Sequence, residues 1–179
     1  MNIIDEILWG EDWAKQIQGM DYDPLVEPDA LAETQLLDLR VHALSGSAAA
    51  LFEMRTSLQF DRGNAGILIF RKVRSASWEL GNPHSNAIAY SVMQSRPRQN
   101  SEIVEFDVRT HPRSMLFLAG AAAEFYLVDA HGIDEAPPDY AQQMSEIVKG
   151  IPNWGSKFSF IEGSRSLGIP QASRDIDTS

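Results

Sequence analysis

The chain has 179 residues, of which 44% are hydrophobic and 22% charged, a balance typical of one soluble globular domain. It contains no cysteine, which excludes disulfides, thiolate metal ligands and cysteine nucleophiles. The net charge of −10 repels phosphate groups and disfavours nucleic acid as the main ligand.

The charge is unevenly distributed along the chain. Residues 1–40 hold ten acids against two bases, residues 41–118 six against nine, and residues 119–179 nine against four. The two acidic flanks would attract a basic partner. The N-terminal sequence lacks the basic region of a secretory signal, and no apolar run has the length of a membrane span. We therefore expect a cytoplasmic protein with no membrane partner.

The first 33 residues predict a helical and loop segment. Apolar residues at helical spacing predict two short helical turns within residues 3–18, separated at Gly10. Pro24 and Pro28 then favour a loop, since proline forbids regular pairing there.

From residue 35 to residue 130 the sequence predicts about seven strands. Apolar and polar residues alternate in 35–44, 48–60 and 101–110, and turn residues separate these runs. Further strands are predicted at 65–80, 87–95, 114–120 and 121–129. Such a series indicates a mainly β fold, either an antiparallel sandwich or a strongly curled sheet. The side chains expected in the core are Phe52, Met54, Leu58, Ile67, Ile69, Phe106, Phe125 and Leu127.

One helix is predicted after the strands, over residues 139–149. Pro138 suits a first turn, Asp139 favours the positive end of a helix, and Gly150 would close it. Beyond Phe160 the sequence is polar, which predicts a flexible tail over 161–179. The expected organisation is therefore a single β-rich domain over 1–160, with 1–33 as its N-terminal segment.

No catalytic or metal-binding motif is present in the sequence. The four histidines are not paired at the i, i+2 or i, i+4 spacing that places two imidazoles on one metal. Neither a nucleophile elbow nor a phosphate-binding glycine loop occurs. Glu124 and Asp129 are expected on opposite faces of one strand, whereas a glycosidase needs two facing carboxylates. We therefore expect no enzymatic activity, no cofactor and no metal.

Residues 129–140, DAHGIDEAPPDY, combine acids with two prolines that stiffen the backbone. The candidate partner-binding acids are Asp129, Asp134, Glu135 and Asp139. Tyr140 and Trp154 are candidate aromatic anchors, because anchors and charge steering are features of protein-binding surfaces. A solvated loop with no partner accounts for the same residues, and the sequence leaves both interpretations open.

Three runs of the sequence carry a family resemblance: 50–78, 123–140 and 151–158. With these runs the chain resembles a group of small uncharacterised actinobacterial proteins that share the E-F-Y strand, the acidic A-P-P-D-Y loop and the later tryptophan. It is also broadly similar in type to immunity proteins of bacterial toxin systems, which are small, acidic and rich in strands.

The similarity to immunity proteins implies a non-enzymatic inhibitor. Such a protein would neutralise a cognate toxin by covering its cationic active site, as a monomer or as a heterodimer with that basic partner. The alternative hypothesis is a β-sheet module that binds a small molecule in an apolar mouth.

Overall fold

The computed structural model describes residues 2–81, 89–100 and 102–168. Seven antiparallel strands form one sheet, and short helices lie before the strands and between the last two. The mainly β fold predicted from the alternation is confirmed. The strands are β1 (Gln35–His42), β2 (Ser47–Glu53), β3 (Ala65–Leu80), β4 (Tyr90–Gln99), β5 (Val104–His111), β6 (Ser114–Ala130) and β7 (Phe158–Leu167). The helices are α1 (Ile4–Trp9) and α2 (Met144–Gly150).

The sheet closes on itself through a pairing between its first strand and the strand next to its last. The strand order is β3-β2-β1-β4-β5-β6-β7, and β3 also pairs with β6. Strands β1 to β6 therefore form a ring of neighbours, with β7 added alongside the second half of β6. The ring is joined most weakly between β1 and β4, where two residue pairs meet.

Apolar side chains pack on both faces of the sheet. The concave face encloses a core that includes Phe52, Phe70, Phe106 and Phe125. A second core lies on the outer face, where the N-terminal residues Ile4, Ile7 and Leu8, together with Trp154 and Phe158, cover Ile67, Ile69 and Tyr126. Strands covered on both faces explain why β2 is buried along its whole length.

The N-terminal segment follows the prediction. Helix α1 ends before Gly10, and a 3₁₀ helix covers Glu11–Gln16. Within the described ranges, no helix has the length and apolar character needed to cross a membrane.

The second predicted strand, 48–60, ends early, at Glu53. The backbone N–H and the side chain of Arg55 both donate to the Glu53 carboxylate, which turns the chain out of the sheet. Leu58, expected in the core, is consequently 81% exposed. The other seven side chains predicted to be buried are buried.

The predictions for 114–130 and for the C-terminal part need correction. Residues 114–120 and 121–129 form one strand, β6, and not two. Helix α2 begins at Met144 and not at 139, because the Asp139 carboxylate accepts the Ala141 N–H in a separate turn. Residues 161–167 belong to β7, and so the predicted tail does not begin at 161. Residues 169–179, and residues 87, 88 and 101 of predicted strands, lie outside the described part.

Gly163 explains how the polar sequence of β7 joins the sheet. A Cβ atom at this position would lie 2.8 Å from the carbonyl oxygen of Phe125 and 3.3 Å from the Tyr126 ring. Glycine is therefore required where β7 crosses β6 closely.

Candidate functional site

An acidic groove of about 560 Å³ lies where β6 ends. One wall is the loop that leads into β3 and carries Asp61, and the other is the segment 129–135. Four carboxylates line it, from Asp61, Asp129, Asp134 and Glu135, and one arginine, Arg55. All four of these acidic residues are exposed. We call this site the acidic groove.

Arg55 fixes the backbone of the acidic segment. Its Nη1 atom donates to the carbonyl oxygens of Asp134 at 2.5 Å and Ala136 at 2.9 Å. Its Nη2 atom donates to the carbonyl oxygen of Gly150 at 2.6 Å, at the end of α2. One guanidinium thus ties the acidic loop and the helix after it to the sheet.

Glu53 neutralises Arg55. Its carboxylate is fully buried and accepts from Arg55 Nε at 2.7 Å and from Nη2 at 2.5 Å. Because this arginine is already paired, its charge does little to offset the four groove carboxylates. No ion pair among the described residues involves Asp129, Asp134 or Glu135.

The opposite wall is held by Asn64. Its side-chain amide donates to the Ala130 carbonyl oxygen at 2.9 Å, and its Oδ1 atom accepts the Ala130 N–H at 2.6 Å. Gly63 precedes it with φ +77°, and a Cβ there would lie 2.8 Å from the Leu127 side chain. Asp61 reaches the groove on this loop. The sequence predicts a turn between these strands, but local patterns do not place Asp61 beside residues 129–135.

The structure brings together three of the four predicted acids. Asp129, Asp134 and Glu135 line the acidic groove, whereas Asp139 is exposed outside it and caps a local turn. The candidate acidic site is therefore Asp61 with these three.

The two predicted aromatic anchors, Tyr140 and Trp154, are more buried than the exposed acids. Trp154 is 3% exposed in the outer core, and its Nε1 atom donates to Asp38 Oδ2 at 2.7 Å. The Arg40 guanidinium covers its ring at 5.1 Å from the centroid. Trp154 is a structural residue whose ring is not available to a partner. We therefore exclude it from the candidate site.

Tyr140 is half-buried, and its hydroxyl is buried with no hydrogen-bond partner among the described residues. Burial raises the pKa of the Tyr140 hydroxyl well above its usual range, and the negative charge of Glu53 raises it further. The hydroxyl therefore stays protonated and uncharged. Part of the side chain remains accessible near the acidic loop.

Glu124 belongs to a separate buried ion pair. It is 1% exposed, and its Oε2 atom accepts from Arg71 Nη2 at 2.9 Å and from the Tyr126 hydroxyl at 2.9 Å. Burial, followed by the charge of Glu124, raises the pKa of Tyr126 far above its usual range. Glu124 is on the outer face and fully engaged, so it forms no acid–base pair with exposed Asp129.

Comparison with protein-family models, with curated proteins and with solved structures gives no match. Among the described residues, no group of three or more histidine, aspartate or glutamate side chains could hold a metal ion. The candidate site is thus defined by its own geometry, as an exposed acidic groove on a mainly β protein.

Proposed function

We propose that the acidic groove binds a basic protein partner, and that the protein is a non-enzymatic, immunity-type inhibitor of a cognate bacterial toxin. The observation that carries the proposal is that Asp61, Asp129, Asp134 and Glu135 line one groove with exposed carboxylates. Toxins that act on nucleic acids or nucleotides have cationic active sites, because their substrates are anionic. A cytoplasmic location is part of the proposal.

Rigidity of the groove supports this function. Arg55 holds the carbonyl oxygens of Asp134 and Ala136, and Asn64 holds both backbone groups of Ala130. A wall that is already ordered loses little conformational entropy on binding. The carboxylates of Asp129, Asp134 and Glu135, which have no ion pair among the described residues, attract a cationic surface at long range and raise the association rate.

The experiment compares two variants that each remove three charges. The groove variant carries Asp129→Asn, Asp134→Asn and Glu135→Gln. The control variant carries Glu6→Gln, Glu27→Gln and Glu33→Gln, three exposed positions away from the groove. Each is used to capture proteins from a lysate of the source cells, and each captured basic protein is produced alone and together with the chain.

We expect the wild type and the control to retain a basic protein that the groove variant loses. That protein should inhibit growth when it is produced alone, and co-production of the wild-type chain should relieve the inhibition. Equal capture by the groove variant would refute the groove as the binding site. Capture of a protein with no growth effect would leave partner binding standing and refute the toxin assignment.

A second candidate function is the binding of a small apolar molecule. A cavity of about 250 Å³ lies where β1 separates from β4, lined by Leu36, Leu37, Asp38, Leu39, Trp78 and Tyr90. Small-molecule sites are typically about 300–1,000 Å³, so this cavity ranks below the groove. The test is quenching of tryptophan fluorescence by a naphthalene-sized ligand. Quenching in the wild type but not in Leu39→Trp would support small-molecule binding, and no quenching in either protein would refute it.

A further inference from the structure

In the second half of β3, one edge of the strand has no strand neighbour among the residues that the structure describes. Strand β2 pairs with β3 as far as Phe70, and the Val73 N–H donates to the Gly46 carbonyl oxygen at 2.8 Å. From Arg74 to Leu80, β6 is the one strand neighbour that β3 has among the described residues. All seven residues of this stretch are exposed.

Other segments of the chain bond to the backbone of β4 and β7. On β4, the Ser95 carbonyl oxygen accepts the Asp29 N–H at 2.7 Å, and the Val92 N–H donates to the Thr34 carbonyl oxygen at 2.8 Å. On β7, Gly163 forms a bridge with Gly19. Proteins cover strand edges in this way because unpaired backbone groups invite another strand. Among the described residues, no backbone hydrogen bond of this kind covers β3 from Arg74 to Leu80 on the side away from β6.

We propose that a second copy of this chain pairs with the β3 edge, antiparallel, about a two-fold axis at Ser77. A two-fold contact joins the same patch on both copies, so the central residue must face itself. Ser77 is the midpoint of 74–80, and pairing about it uses the whole free edge. An axis nearer to Val73 would push the second copy against the β1–β2 turn at Gly46, which already occupies that position.

The side chains of the edge complement one another in this register. Ala76 faces Trp78 of the second copy, a small residue against a large one, and Ser75 faces Glu79. Arg74 faces Leu80, whose side chain the arginine stem can cover. No like charges stand opposite each other, which would oppose pairing. Trp78 and Leu80, which are 43% and 40% exposed, both gain apolar neighbours.

This dimer does not depend on the proposed function. Leu80 pairs with Ser114 at the start of β6, whereas the acidic groove lies at the opposite end of that strand, beside Asp129. Both copies would therefore keep an open groove. The free chain would then be a homodimer, and not the monomer expected from the sequence.

Because the chain has no cysteine, single cysteines test the register directly. Directly opposed residues of an antiparallel pair have Cα atoms about 4.5–5.5 Å apart, within the range that a disulfide spans. Ser77→Cys should therefore form a disulfide-linked dimer on mild oxidation. Ser75→Cys is the matched control on the same edge. Its two copies would be four residues out of register, about 13 Å apart, and should not cross-link.

The wild-type mass in solution is the second readout. Sedimentation equilibrium should give twice the chain mass of 19.9 kDa. Cross-linking at 77 alone, with a dimeric wild type, supports the proposal. A wild type that stays monomeric at every concentration overturns it, as does cross-linking at 75 equal to that at 77 or cross-linking at neither position.

Discussion

Two buried glutamate–arginine pairs connect the sheet to the segments that cover it. Glu53 binds Arg55 and Glu124 binds Arg71, and both glutamates are almost fully inaccessible. A buried ion pair contributes little net stability by itself, because desolvation offsets the attraction. Each arginine, however, also donates to backbone carbonyls of a covering segment. The pairs therefore act mainly by positioning those segments.

Glu53→Gln is predicted to destabilise the protein strongly. The substitution would leave the Arg55 charge, whose side chain is 7% exposed, without its buried counter-ion. Breaking a buried pair in this way costs about 3–5 kcal/mol, measured as the free energy of unfolding in denaturant. The control is Glu146→Gln, which breaks an exposed pair with Lys149 and should cost no more than about 1 kcal/mol. Similar losses in the two variants would contradict the role of Glu53.

Tyr140→Phe is predicted to stabilise the protein at neutral pH. Among the described residues, the Tyr140 hydroxyl is buried without a hydrogen-bond partner, and such a group costs about 1–3 kcal/mol. Removing it should therefore raise the free energy of unfolding by about 1 kcal/mol. Tyr22→Phe, at another half-buried tyrosine, is the control and should give no gain. A loss of stability in Tyr140→Phe would mean that the hydroxyl has a partner.

The Tyr140 hydroxyl should also make the free energy of unfolding depend on pH. The folded-state pKa of Tyr140 is raised, so above about pH 10 the unfolded chain loses the proton while the folded chain keeps it. The folded state then binds more protons, and stability must fall as the pH rises through this range. The difference in free energy of unfolding between Tyr140→Phe and the wild type should accordingly grow between about pH 9 and pH 11, the range in which a free tyrosine ionises. An advantage that is constant with pH would refute the assignment.

At the scale of elements, local alternation predicted most of the strands but wrongly predicted a break at Gly120. The run Ala119-Gly120-Ala121 suggested a break in what is one strand, β6. In the structure a Cβ atom at Gly120 would lie 2.7 Å from the Arg71 carbonyl oxygen. Glycine is present because β3 and β6 approach closely there, and this contact is invisible to a local pattern.

The acidic groove was only partly predictable for the same reason. Asp129, Asp134 and Glu135 are close in sequence, so one loop brought them together. Asp61 joins them because Ala65 pairs with Val128, which places the ends of two strands distant in sequence side by side. The burial of Trp154 likewise depends on its contact with Asp38, 116 residues earlier.

Arg71→Lys is predicted to loosen helix α1. Arg71 donates to the carbonyl oxygens of Ile7 at 2.8 Å and Leu8 at 2.6 Å while it binds Glu124. A lysine ammonium lacks the planar set of donors needed to serve all three. We expect a loss of roughly 3 kcal/mol, by analogy with a broken buried pair, and faster hydrogen exchange in residues 4–10 than in the strands.

Arg98→Lys is the matched control for this element. Arg98 is 49% exposed and pairs with Glu105 and Asp107 on the surface. It should change stability by no more than about 1 kcal/mol and leave exchange in α1 unchanged. Unchanged exchange of α1 in Arg71→Lys would show that apolar packing alone holds the helix.

At the scale of the whole molecule, the two acidic flanks of the sequence come together. Ile3 forms a bridge with Lys157, and the Asp5 N–H donates to the Trp154 carbonyl oxygen at 2.8 Å. Both flanks contribute to the outer core, while residues 41–118, which hold more bases than acids, include β2 to β5. The fold thus brings the two acidic flanks of the sequence into contact with each other.

The most direct test of the partner-binding proposal is the association rate of the captured basic protein, measured against salt concentration. The groove variant, with Asp129→Asn, Asp134→Asn and Glu135→Gln, should associate more slowly than the wild type at low salt. The difference should shrink as the screening length falls from about 10 Å at 0.1 M to about 3 Å at 1 M. The control variant, with Glu6→Gln, Glu27→Gln and Glu33→Gln, should follow the wild type. Equal low-salt association rates for the groove variant and the wild type would contradict the proposal.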